Sequence, residues 1–189
     1  MTEVELRAIN KEDVEERERF IRDNQEAFRH GALEEFGLRD EHFEEDGEII
    51  SRETIEGSID GENAETYWIV SEGGIVGGVV ISIAKEERRG DLELLFVSPR
   101  VHSRGIGYAA WCKIEAMHPE VELWETMTPY FEKRNIHFYV NRCGFRIVEF
   151  FNERHPMEGH DGGPEAMFRF EKEMVKRGER RRRKERKEV

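Results

Sequence analysis

The stretch Val97–Trp111, VSPRVHSRGIGYAAW, sets two glycines two apart behind a basic cluster and ahead of an apolar pattern. Ile106, Ala109, Ala110, Ile114 and Met117 recur at helical spacing, so the chain is expected to turn from the glycines straight into a helix ending near His118-Pro119. The glycines then stand at a helix N-terminus. There the first N–H groups lack an intrahelical partner and the positive end of the helix dipole points outward, which suits phosphate oxygens. Gly105 and Gly107 remove the β-carbons that would hold such oxygens off, Arg100, His102 and Arg104 add charge, and Ser103 supplies a hydroxyl donor. A pyrophosphate fits these needs; so does an ordinary glycine loop packing a helix close to a sheet.

On either side of this turn the chain reads as α/β. Val4–Ile9 alternates like a strand, Lys11–Phe28 has helical periodicity, and a weaker helical stretch follows at Leu33–Phe43, then a polar segment to about Ala64. Thr66–Val70 and Ile75–Ala84 are apolar runs separated by SEGG, the signature of an antiparallel hairpin. Leu92–Val97 is a further strand, stopped by Pro99. Val121–Thr126 follows the post-glycine helix, and a strand–helix–strand order of this kind makes a right-handed crossover with the two strands parallel. A helix from Tyr130 to Cys143 closing at Gly144, then strands at Phe145–Phe151 and Ala166–Met174, complete the expected order.

The chain has 189 residues, 37% hydrophobic and 38% charged, which suits one compact domain with a polar exterior. No run approaches the roughly 18 apolar residues of a membrane span, and MTEVELRAINKED is too charged for a secretory signal, so the expected location is cytoplasmic, with no membrane partner. Cys112 and Cys143 lack any disulfide or metal spacing and read as reduced core thiols. From Lys176 onward nine Lys or Arg face three Glu, a net of +6; with −12 overall, residues 1–175 carry −18. Domain organisation is therefore an acidic body, residues 1–175, and a basic tail, residues 176–189, expected to be disordered. A body of that charge repels nucleic acid and attracts cations; Glu34–Glu62 is the stretch dense enough in carboxylates to do so, and it reads equally as solvated loop and helix faces. His155, His160 and Asp161 match no zinc pattern, so no metal is expected.

Two readings compete for the glycine turn. Gly105, Gly107 and Ala110, with Glu125 twenty residues after the first glycine, outline a nicotinamide-dinucleotide fingerprint. That fold needs the strand to enter the first glycine directly, whereas Ser98–Arg104 intervene here, and a hairpin precedes. The alternative is a resemblance. LLFVSPRVHSRGIGYAA resembles the acyl-CoA-binding motif of the GNAT superfamily of N-acetyltransferases, with His102 where a Gln or Arg is usual and Ser103 in place of a frequent glycine. Downstream, NIHFYVNRCGF is similar to the family's later motif through Asn135, Phe138, Tyr139, Gly144 and Phe145.

The resemblance implies a mixed antiparallel and parallel sheet flanked by helices, with a central parallel pair, Leu92–Val97 and Val121–Thr126, splaying apart. It implies acetyl-CoA as co-substrate and direct transfer, in a ternary complex, to a primary amine, small molecule or peptide. Phe96, Val97, His102, Ser103, Arg104, Gly105, Ile106, Gly107, Tyr108, Asn135 and Phe138 are then cofactor-binding residues. Glu93, or a water it holds, is the candidate base for an amine with a pKa of about 10 if it resembles lysine, and Tyr139 the candidate acid toward the departing thiolate. Burial of Glu93 in an apolar strand would raise its pKa; a solvent-facing Glu93 is the alternative. Asn135 and Tyr139, four apart, share a helix face. A non-catalytic acyl-CoA-binding module and an NAD(P) oxidoreductase stay open as other functions. The acceptor, the acyl-chain preference and the oligomeric state, a homodimer included, are not legible.

Overall fold

The computed structural model describes residues 2–36, 48–101, 105–157 and 166–174. In chain order these form β1 (Glu5–Ala8), α1 (Val14–Phe36), α2 (Arg52–Asp60), β2 (Ala64–Ser71), β3 (Gly74–Ala84), β4 (Arg89–Val97), α3 (Ile106–Met117), β5 (Leu123–Pro129), α4 (Lys133–His137), β6 (Arg146–Phe151) and β7 (Met167–Glu173). Among the described residues the strands make one seven-stranded sheet in the order β1-β2-β3-β4-β5-β7-β6. Only β4 and β5 run parallel. The mixed sheet with a parallel central pair is thus as expected, and a parallel dinucleotide fold is excluded.

The hairpin at SEGG is tight because Glu72 and Gly73 both take positive φ, 52° and 77°, the turn that matches strand twist. Strand β3 is buried on both faces. Val79, Ile81 and Ile83 pack with Trp111, Trp124, Phe145 and Phe170 beneath α3 and α4, while Val80 joins Phe20, Ile55, Ile59 and Trp68 beneath α1 and α2. Gly78 lets this second layer close: a β-carbon there would lie 2.4 Å from the Phe20 ring and 2.5 Å from that of Phe96. Trp68, Trp111 and Trp124 are all fully buried, core rather than a base-stacking platform.

Several boundaries differ from the sequence reading, each for a local reason. The first helix continues to Phe36, absorbing the start of the expected second helix; the rest of that stretch lies outside the described residues. The polar segment before Ala64 contains α2, capped by Ser51, whose hydroxyl accepts from the Thr54 amide. Its buried face is only Ile55 and Ile59, too little to stand out as periodicity. Strand β4 begins at Arg89, inside what reads as a charged turn. The expected Tyr130–Cys143 helix starts at Lys133 and widens into a π-helical turn at Phe138–Cys143, ending at Gly144 in the left-handed region.

A bulge in β4 decides the shape of the centre. Val80 pairs with Leu94 but Ile81 with Leu92, so Glu93 is the extra residue. In a regular strand Leu92 and Leu94 would share a face; here Leu92 packs under α3 and α4, and Leu94 and Phe96 under α1 and α2. Pairing with β5 covers only Arg89↔Leu123, Gly90↔Trp124 and Asp91↔Glu125, and ends where the bulge begins. The splay expected of the parallel pair follows from this break.

The last rung is charged. Glu125, 9% exposed, is bound by the Arg89 guanidinium, with Arg169 at 3.7 Å. Burial first, then the neighbouring Glu125 and Glu93 carboxylates, push the Asp91 carboxyl up to about 6, against the opposing pull of Arg89. The folded chain therefore holds this proton more tightly than the unfolded one, and stability should fall as pH rises from 3.8 to about 6. Asp91→Asn is expected to raise stability by about 1 kcal/mol near pH ~8, a figure reduced for partial solvent screening, and to lose that gain in acid. Urea unfolding across pH checks this; a variant that tracks the parent at every pH would contradict it.

Candidate functional site

Beyond the last rung, β4 and β5 diverge and a cleft of about 490 Å³ opens between the end of β4, the start of α3 and the α4 segment. Leu95, Phe96 and Val97 form its β4 wall. Opposite them lie Gly105, Ile106, Gly107 and Tyr108 of the α3 entry, with Asn135 and Phe138 closing the side. Eight of the residues expected to bind a cofactor therefore line one cavity. His102, Ser103 and Arg104 lie outside the described residues.

The α3 entry is shaped by its glycines for two different reasons. Gly105 caps the helix with φ 74° and ψ 14°, a left-handed conformation that costs an L-residue roughly 1–2 kcal/mol. Gly107 has ordinary backbone, but a β-carbon there would touch Phe138 at 3.5 Å and Val97 at 3.6 Å, both cleft walls. The first turn of a twelve-residue helix thus opens its N–H groups toward a cavity kept free of side chains. That arrangement accepts a diphosphate, and an extended chain can lie along β4 where β5 has turned away.

The sequence reading missed part of the rim. Arg134, His137 and Arg142 from the α4 segment, and Ala27, Phe28 and Gly31 from α1, also line the cleft. Arg142 lies over the Tyr108 ring at 5.4 Å, so an aromatic inside the cleft holds a cation at its edge. The basic residues in EKRNIHFYVNR were the available signal.

The two catalytic candidates sit apart from this lining. Tyr139 is 8% exposed, its ring packed edge-on or tilted against Phe138, Phe145 and Phe170. Burial pushes the phenol up to about 12, an effect the nearby Thr126 side chain on β5 partly offsets. At neutral pH the phenol keeps its proton. Asn135 meets Thr128 at 3.5 Å. Asn135 lines the cleft, whereas Tyr139, four residues on, does not.

Glu93 lies at the bulge, exposed, with the Ser82 hydroxyl donating to it at 3.1 Å. The burial expected of it is absent; burial instead falls on Asp91, whose carboxyl it raises. The acidic stretch is also partly spoken for. Glu48 is paired with Arg29, Asp60 with Arg17, and Glu56 with Arg52 and Arg17. Cys112 is half-buried and Cys143 buried, the latter pushed up to about 12 mainly by burial, so it is a poor nucleophile. Among the described residues no three His, Cys, Asp or Glu gather as a metal site; His160 and Asp161 lie outside them. No described helix is long and apolar enough to cross a membrane.

Comparison with known proteins agrees with this geometry. Residues 16–145 match the Acetyltransferase (GNAT) family. An uncharacterized protein of Bacillus subtilis (strain 168), YrkN, is 50% identical over 131 residues, 69% of this chain and 68% of that protein. Among solved structures, the ribosomal-protein-S18-alanine N-acetyltransferase of Escherichia coli superposes with a TM-score of 0.63 at 13% identity, over 93% of this chain and 97% of that one. A Bacillus subtilis acetyltransferase solved in complex with CoA does so with a TM-score of 0.56 at 16% identity, over 93% and 100%. From its core fold to its glycine turn, this chain belongs to the GNAT acetyltransferase family.

Proposed function

We propose that the protein transfers an acetyl group from acetyl-CoA directly to a primary amine. The observation that carries this reading is that the divergence of β4 from β5 and the open first turn of α3 face the same cleft. One feature takes the extended arm of an acyl-CoA and the other its diphosphate, and the CoA complex of a fold neighbour supports that choice of ligand.

The α3 N–H groups and the glycines seat the diphosphate, with Arg142 at the rim; His102, Ser103 and Arg104, which precede Gly105 in the sequence, are the further residues proposed to contact it. The end of β4 around Phe96 and Val97 aligns the thioester and polarises its oxygen through backbone N–H. Glu93, directly or through water, takes the proton that an ammonium acceptor must lose before it attacks. Tyr139 donates its proton to the departing sulfur and regains one from solvent. Of the two protons the ammonium sheds, one thus ends on the thiol and the other in water. The acceptor is a cationic amine, in keeping with the acidic body and with Asp91 and Glu93 beside the fork.

Thermal unfolding is expected to shift upward with acetyl-CoA and with CoA but not with NAD(P). Thiol release from acetyl-CoA should then appear with at least one of spermidine, lysine, kanamycin and a peptide with a free amino terminus. Stabilisation without release from any of them would leave a binding module in place of an enzyme. Tyr139→Phe is expected to lower kcat by about 100-fold or more with the KM for acetyl-CoA little changed, and full turnover would remove its role as acid. The glycines should separate: Gly105→Ala lowers stability by about 1 kcal/mol, whereas Gly107→Ala leaves stability nearly intact and weakens CoA about tenfold in calorimetry. Unchanged CoA affinity in Gly107→Ala would remove the α3 entry from the binding site.

A further inference from the structure

We propose that Arg142, laid over the Tyr108 ring at the edge of the cleft, binds the 3′-phosphate of coenzyme A and so makes the protein prefer CoA thioesters to their 3′-dephospho forms. The proposal rests on the reading of the cleft as an acyl-CoA site.

Arg142 differs from the other arginines of this acidic chain in what it touches. Arg17, Arg29, Arg52, Arg88, Arg89 and Arg169 each meet a carboxylate. Arg142 meets none among the described residues, and its guanidinium lies instead 5.4 Å from the centre of the Tyr108 ring. An aromatic face attracts the charge of a guanidinium but offers no acceptor oxygen to its five N–H donors. The cation is therefore held in place with its donors still unused, and both it and the ring line the cleft.

The local backbone explains why this side chain points there. In the π-helical turn Phe138–Cys143, Phe138 and Arg142 are four apart and both line the cleft, whereas Tyr139 and Cys143, also four apart, are buried in the core. Phe138 is the ring that a β-carbon on Gly107 would touch at 3.5 Å, and Tyr108 is the next residue after Gly107. The Phe138–Arg142 face thus runs alongside the first turn of α3. Its cation stands beside the amides that seat the diphosphate, across the cleft from the β4 wall.

The chemistry of the ligand then leaves one group for it. With the diphosphate on α3 and the extended arm along β4, the anion of coenzyme A still unmatched is the phosphate monoester on the ribose, on the adenosine side of the diphosphate. Such a monoester carries a charge of about −1.5 to −2 at neutral pH, and a guanidinium can bind two of its oxygens side by side. In a body of net negative charge, a cation held at the rim also offsets the repulsion that a polyanionic ligand meets on entry.

Calorimetry of the full-length protein with CoA and with 3′-dephospho-CoA tests this. The parent is expected to bind CoA about tenfold more tightly than the dephospho form. Arg142→Gln should bring CoA down to the level of dephospho-CoA and leave the affinity for dephospho-CoA unchanged, which also reports that the variant is folded. Gly107→Ala should weaken both ligands alike, because they share the diphosphate. Raising the salt from about 0.05 to about 0.5 M should narrow the preference of the parent and leave the ratio in Arg142→Gln unmoved. A parent that binds both ligands equally, an Arg142→Gln variant that keeps the preference, or one that loses both ligands to the same extent would overturn the proposal. Failure of the parent to bind either ligand would instead defeat the acyl-CoA reading itself.

Discussion

The separation of two parallel strands after three pairs, with Glu93 as the extra residue at the break, is the feature on which the rest of the molecule depends. A sheet that kept β4 and β5 together would have no cleft, and the α3 entry would face a wall of paired backbone. The bulge does two things at once. It reverses which face Leu94 and Phe96 cover, so α1 and α2 gain an apolar floor, and it bends β4 away from β5. Beyond it the sheet regains pairing on the far side, where β7 holds β5 along its whole length. The split is thus braced from both flanks, by β3 on one side and β7 on the other.

Packing on each face explains why the split survives folding. Under α3 and α4, Trp111 and Trp124 meet edge to face at 5.1 Å with Phe145 and Phe170 around them. Under α1 and α2, Phe20 contacts both Trp68 and Phe96 at 5.1 Å. Each aromatic of this size buried in a close-packed interior contributes several kcal/mol by area, which exceeds the cost of a few unmade strand bonds. The charged exterior contributes less. Much of the acidic character is matched locally by arginines, as in Arg17 with Asp60 and Arg52 with Glu18, and such exposed pairs are worth little each.

The fold was legible where local rules act alone. The two-residue turn at Glu72-Gly73, the helix start after Gly105 and the helix end at Gly144 follow from backbone preferences that one or two residues express. The parallel pairing of β4 and β5 followed from the crossover rule. What could not be read depends on contacts distant in sequence. Helix α2 is held by two isoleucines and by ion pairs to α1, Asp60 with Arg17 and Arg52 with Glu18. Arg89 enters a strand because Glu125 waits on its neighbour. The bulge is invisible in LELLFV, whose alternation suggests an unbroken strand. For the site, the cleft lining around the glycines was legible, while the exposure of Glu93, the raised carboxyl of Asp91 and the Thr126 bond to the Leu92 carbonyl emerge only from register.

The central claim is that an acyl-CoA occupies the gap left by the diverging strands. A crystal structure of the protein with acetyl-CoA tests it most directly. The account expects the diphosphate within hydrogen-bonding distance of the amides of Ile106–Tyr108 and the extended arm beside Leu95–Val97, with the sulfur near the Tyr139 hydroxyl. A ligand bound elsewhere, or an arm that leaves the end of β4 uncontacted, would contradict it.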